Sequence, residues 1–193
     1  MHGFLKVLRF ILLAEYILCV SMKAFRYKPL SFKDLPLLHA WYTLPHVVKS
    51  YARRLFSFEE LEEKYTPYIL GGKGICGFIC YMDGKPLGYI QHYPVKRYPW
   101  QGHELGEKLA SCAGLDVFIG EKAFLGCGLG RLMIARFIQK HLKKYYTYCA
   151  VDPEVDNVRA IRCYEACGFS IHKKILSEDR REHYLMLKEH RVI

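Results

Sequence analysis

Two sets of residues in this sequence have the types and spacing to do chemistry. Gly126, Gly128 and Gly130 alternate with Cys127 and Leu129 in FLGCGLGRLM, directly before a long apolar-periodic run. Each glycine disfavours ordered backbone by about 0.5–1 kcal/mol relative to alanine, so three together need a reason. A turn that leaves a strand and enters a helix points its first N–H groups at one spot. Those donors and the helix dipole bind phosphate, and glycines let the anion come close. The run is not a Walker loop, because no Gly-Lys-Ser/Thr follows, and a dinucleotide fingerprint would place its third glycine one position later. Close packing of helix against strand explains the pattern equally well on spacing alone. The second feature is Asp116, a carboxylate inside the apolar run GLDVFI. Burying it there is costly without a partner or a purpose; a turn contact at a strand edge is the alternative. No Cys or Ser stands beside a recognisable base, so a covalent acyl-enzyme is not indicated, and Cys127 reads as a spacer.

The elements around these residues follow from periodicity and turn chemistry. Lys23–Leu30 reads as a strand, and Ser31 caps a helix through Trp41 with Asp34 at its positive end. SFEE at Ser57–Glu60 is a capping box for a helix running to about Leu70, stopped by Gly71-Gly72. Ile75–Met82 and Lys85–Tyr93 are strands joined by an Asp83-Gly84 hairpin turn. Val95–Ala110 is a loop, and Gly114–Ile119 is a buried strand. A helix from Gly128 to Lys144 follows the glycines, then a strand over Tyr146–Asp152. A helix starts at Asp156 or Asn157 and ends at Gly168, before strands at Phe169–Leu176 and His183–Lys188. This order predicts an α/β mixed sheet covered by helices.

The totals set the bounds. The 193 residues suit one domain, at 51% hydrophobic and 25% charged, with a formal net charge of +10. Such a charge brings nucleic acid, a membrane surface or an anionic cofactor into consideration. The basic residues are scattered, so a solvated basic surface explains them equally well. Cys76, Cys80, Cys112, Cys149 and Cys163 lie in apolar runs, as small buried hydrophobes do, which points to reduced thiols and a cytoplasmic protein. Cys163 and Cys167 stand four apart with no second pair nearby, so no metal site is expected. Residues 1–21 place Lys6 and Arg9 before an apolar stretch that Glu15 interrupts. They are expected to be an N-terminal extension and not a membrane anchor, with the domain covering 22–193 and Met22 a natural start.

The second conspicuous stretch, VDPEVDNVRAIRCYEACGF, makes a resemblance specific. With the glycine run it resembles the GNAT superfamily of acyl-CoA-dependent N-acetyltransferases. The later helix of that family has the form N-x-x-A-x-x-x-Y-x-x-x-G-F, matched by Asn157, Ala160, Tyr164, Gly168 and Phe169. Its pyrophosphate loop has the form Q/R-x-x-G-x-G/A, matched by Gly128 and Gly130, with Leu125 in place of the usual Gln or Arg. Together with DGKPLGYIQHY and HAWYTLPHVVKSY, these stretches are most similar to aminoglycoside 6'-N-acetyltransferases; siderophore-lysine acyltransferases share much of the pattern. The resemblance runs from about Met22 to Leu187.

The resemblance implies a mostly antiparallel central sheet splayed between strands 4 and 5, acetyl-CoA as donor and a small-molecule amine as acceptor, in a monomer or homodimer. It places the donor's pyrophosphate on Gly126, Cys127, Gly128, Leu129, Gly130 and Arg131, with Asn157 and Ala160 nearby. The pantetheine arm then runs along Val117, Phe118 and Ile119, and a backbone N–H there, such as that of Phe118, serves the carbonyl oxygen. Tyr164 takes the role of general acid to the thiolate, although four residues after Ala160 it could equally be a core aromatic. Asp116 matches an aspartate that faces the substrate amine, and Asp152 a second that binds substrate; its alternative is a turn cap before Pro153. Tyr65 matches a substrate-contacting tyrosine. Tyr51 stands where relatives have a tryptophan, and Glu104 is a candidate for an acidic loop residue. The acceptor could instead be a siderophore lysine, a polyamine or a protein N-terminus. A non-catalytic basic module binding nucleic acid is the competing class; neither nucleic acid nor a membrane is the expected partner.

Overall fold

In a computed structural model, which describes residues 24–177 and 179–190, seven strands form one sheet in the order β1-β2-β3-β4-β5-β7-β6. They are β1 (Phe25–Pro29), β2 (Cys76–Met82), β3 (Lys85–Pro94), β4 (Cys112–Ile119), β5 (Tyr148–Val151), β6 (Ser170–Leu176) and β7 (Glu182–Glu189). Every neighbouring pair is antiparallel except β4 and β5. The expected extension over 1–21 and the start at Met22 lie outside the described residues.

The four main helices are α1 (Leu35–Tyr42), α2 (Phe58–Ile69), α3 (Leu129–Phe137) and α4 (Val158–Ala166). The SFEE box closes as anticipated: Glu60 N–H donates to Ser57 Oγ, and Ser57 N–H donates to the Glu60 carboxylate. Asp83 and Gly84 both take positive φ, 49° and 78°, as a tight hairpin requires. Gly168 stops α4 in the left-handed region with φ of 86°. Two expectations are corrected. The helix predicted over 128–144 is regular only to Phe137, then widens into a π-type turn over Ile138–Leu142. The strand predicted over 146–152 shrinks to Tyr148–Val151. Asp34 does more than face a helix terminus: its buried carboxylate accepts from Lys28 Nζ at 2.8 Å, Ser31 N at 3.0 Å and Ser31 Oγ at 2.6 Å.

The side-chain alternation of β4 divides the interior. Leu115, Val117 and Ile119 pack with α3 residues Leu129, Met133, Ile134 and Phe137 on one face of the sheet. Phe118 turns to the other face, against Trp41 and Tyr42 of α1 and Tyr65 of α2. Asp116 shares the parity of Phe118, so a period of two delivers its carboxyl to the α1–α2 side while its neighbours form the core beneath α3.

Candidate active site

Strand β4 pairs with β5 only at Cys112, Ala113 and Gly114. Its pairing with β3 continues from Ala113 to Ile119. The parallel pair thus parts beyond Gly114 and leaves one backbone edge of Leu115–Ile119 open. Gly120 N–H donates to Leu87 O at 3.0 Å. By the alternation of an antiparallel ladder, Phe118 and Asp116 also turn their N–H groups toward β3, while Val117 and Ile119 turn theirs to the open edge. The expected oxyanion donor at Phe118 is corrected on this ground. At the end of the strand, His46 Nε2 lies 3.1 Å from both Ile119 O and Gly120 O. Since both partners are acceptors, that nitrogen carries the proton.

The glycine turn sits beside this opening. Gly126 and Gly128 have φ of 76° and 70°, and Gly128 is the left-handed residue immediately before α3. A Cβ at either position would meet no atom within 4 Å, and one at Gly130 would touch only Cys163 Sγ, at 3.5 Å. Close helix–strand packing is therefore not what the first two glycines serve. They leave open main chain at a helix start whose first N–H groups have no partner inside the helix. That donor set suits a diphosphate. Asn157, placed with this region by the sequence, caps α4 by accepting from Ala160 N–H at 3.2 Å.

Across the sheet, the register pairs Gln91 of β3 with Asp116 of β4. Gln91 Nε2 donates to Asp116 Oδ2 at 2.6 Å, and Tyr89 Oη donates to Gln91 Oε1 at 2.7 Å. Asp116 as a residue is half-buried, and protein surrounds its carboxyl. Burial raises its pKa, opposed by the Gln91 hydrogen bond and the positive charge of Lys64. Asp152, just past β5, is pushed up to about 7, first by burial and then by Asp116; a hydrogen bond from Trp100 and the charge of Arg53 act in the other direction. His183 Nδ1 donates to Asp152 O at 2.6 Å and fixes that backbone. Tyr164 on α4 is 8% exposed, its ring 5.6 Å from that of Phe169. Burial holds its phenol protonated, with smaller contributions from Asp116 and Asp152, so the three groups share one electrostatic neighbourhood.

Other predicted positions lie further out or deeper in. Tyr65 is fully buried, and its hydroxyl bonds to that of Tyr42. Tyr51 lays its ring 4.7 Å from Phe118 and 6.5 Å from Tyr89. Glu104 is on an exposed loop, paired with Lys173 at 2.7 Å. A cavity of about 650 Å³ opens along β6 and is lined in part by Lys173, Lys174 and Arg180; it excludes Asp116 and the glycine turn.

The acetyltransferase (GNAT) domain family matches residues 31–176. The chain belongs to this family. As a GNAT acetyltransferase it has the family's fold, splayed at β4–β5, and is an acetyl-CoA-dependent N-acetyltransferase. It is 27% identical over 156 residues to the aminoglycoside N(6')-acetyltransferases type 1 of Klebsiella pneumoniae and Serratia marcescens, covering 79% of this chain and 77% of theirs. The crystal structure of aminoglycoside acetyltransferase AAC(6')-Ib with coenzyme A and kanamycin superposes with a TM-score of 0.76 at 25% identity, covering 86% of this chain and 95% of that one. Within this GNAT site, Gln91, Lys64, Trp100 and His46 escape a reading of motifs. Gln91 had only a partial signal: period-two alternation puts it on the same face of β3 as Tyr89, while its register with the carboxylate is set by the β3–β4 pairing.

Proposed function

We propose that this acetyltransferase modifies a primary amine of the kind aminoglycosides carry at the 6' position, with Asp116 as anchor and base and Tyr164 as general acid. The observation that carries the reading is the convergence of an ionisable carboxyl, a protonated buried phenol and an open β4 edge where the strands part. The donor supplies an acetyl group already activated as a thioester, its diphosphate held by the backbone of Gly126–Arg131. Asp116 receives the acceptor's ammonium and takes up its proton, directly or through one water; an alkylammonium with a pKa of about 10.4 needs such help at neutral pH. The outward N–H groups of Val117 and Ile119 stabilise charge on the carbonyl oxygen as the amine attacks. Tyr164 then gives its proton to the departing sulfur. Asp152 supports the acceptor as a second acid, and Tyr51 supplies an apolar wall for it.

The test is thiol release from acetyl-CoA with kanamycin-type sugars, lysine derivatives and polyamines as acceptors. Asp116→Asn is expected to lower kcat/KM by about 10²–10⁴-fold, the usual size of a general-base contribution, while retaining coenzyme A binding. Tyr164→Phe is expected to lower kcat more than it raises the acceptor KM. Full activity in both variants would remove these residues from the mechanism.

A further inference from the structure

The acceptor side of the sheet contains a cation that the reaction does not use. Lys64 lies on α2 one turn after Glu60, the position at which a Glu–Lys pair normally forms along a helix. Glu60 is instead taken by Arg54 at 2.9 Å and by the Ser57 backbone. Lys64 turns inward: its Nζ stands 5.2 Å from the centre of the Phe56 ring and 5.5 Å from those of Tyr42 and Tyr65. Its nearest polar partner is Tyr42 Oη, at 3.5 Å. Among the described residues, no carboxylate forms an ion pair with it. An ammonium held against aromatic faces and short of hydrogen bonds projects its charge into its surroundings with little local cancellation. The carboxyl that feels it is Asp116.

Several other acids are already matched by cations of the protein. Glu154 is bound by Arg53 and Arg181, Asp179 by Arg181, and Glu104 by Lys173. Asp116 and Asp152 are the carboxylates proposed to receive the acceptor, and Lys64 offsets the first of them. A single ammonium is accommodated. A molecule with several more also meets the charge of Lys64, which no carboxylate among the described residues pairs.

We propose that Lys64 is a specificity-determining residue that selects acceptors whose reacting ammonium is their only positive charge and discriminates against polycations carrying the same reacting amine. The inference rests on the reading that the amine enters beside Asp116. It separates that reading from its substrate detail: the reacting group is a 6'-type amine, and the charge on the rest of the acceptor is what Lys64 reads.

The experiment compares two acceptors with the same reacting group, methyl 6-amino-6-deoxyglucoside with one amine and kanamycin A with several. Thiol release gives kcat/KM for each with the wild type, Lys64→Gln and Lys64→Arg. Lys64→Gln is expected to raise the kanamycin-to-monoamine ratio of kcat/KM by about tenfold, mainly through KM, as removal of one nearby unscreened charge predicts. Lys64→Arg keeps the wild-type ratio, and added salt raises that ratio in the wild type but little in Lys64→Gln. An unchanged ratio in Lys64→Gln, or the same change in Lys64→Arg as in Lys64→Gln, would overturn the inference. Thiol release with neither sugar in any of the three proteins would overturn both it and the reading on which it rests.

Discussion

Asp116 and Asp152 sit near the same phenol, yet their surroundings set them apart. Asp116 is held by a cross-strand amide and faces a lysine, which counter the effect of its burial. Asp152 has less compensation: burial and the neighbouring Asp116 push it up to about 7, so it changes charge in the neutral range. Because its pKa is raised, it gains a proton as pH falls through about 7, and its attraction for a cationic acceptor is lost below that point. We expect kcat/KM for the acceptor to fall below about pH 7 in the wild type, and Asp152→Asn to remove that limb while lowering the plateau. A pH–rate profile of the variant that retains the wild-type limb would assign the titration to another group. Motif spacing marks Asp116, Asp152 and Tyr164 because each interrupts or punctuates a pattern. Lys64 belongs to no motif of that kind. Spacing puts it on the face of Leu61, Tyr65 and Tyr68, where a lysine would ordinarily bend outward to water, and the sequence does not show that Glu60 is taken by Arg54 and leaves it among the rings.

At the scale of elements, β4 positions the chemistry by doing three things at once. One set of its residues packs beneath α3, the alternate set presents Asp116 and Phe118 to the acceptor side, and its backbone leaves β5 after Gly114. Strand β3 must follow it closely for the Gln91–Asp116 pairing to hold. Gly88 permits that approach, since a Cβ there would come within 2.2 Å of Phe118 O and 2.9 Å of Ile119 Cα. Gly88→Ala is therefore expected to destabilise the fold by about 1–3 kcal/mol and to lower activity, because backbone cannot yield as a flexible side chain does. Denaturant unfolding checks this; wild-type stability in the variant would mean that the strands separate at no cost. The elements themselves were largely legible from caps and turns, namely SFEE, Asp83-Gly84 and Gly168. Their ends were less so. Ile138–Leu142 continues the apolar spacing of a helix, and only tertiary packing widens its coil. The donor set on β4 was misread at Phe118 because hydrogen-bond direction depends on register, which composition does not specify.

At the scale of the molecule, a basic chain has arranged two different charge problems on opposite sides of one splayed sheet. In the proposed reading the turn at Gly126–Arg131 meets an anion with backbone N–H groups, and the face containing Asp116 and Asp152 meets a cation while Lys64 limits how much positive charge enters. Net charge alone brought polyanions into consideration without favouring them; in the proposed reading the sign of each site is set locally, by a few carboxylates and a helix start, and not by the total of +10. The whole arrangement depends on the glycine turn placing the donor's thioester at the open edge of β4. Calorimetric titration of coenzyme A into the wild type and into Gly128→Val tests this most directly, since a branched side chain at φ of 70° is strained and covers main chain that is now open. The account predicts clear binding to the wild type and loss of that binding in Gly128→Val, with the folded structure retained by circular dichroism. Equal affinity in the two proteins would contradict it.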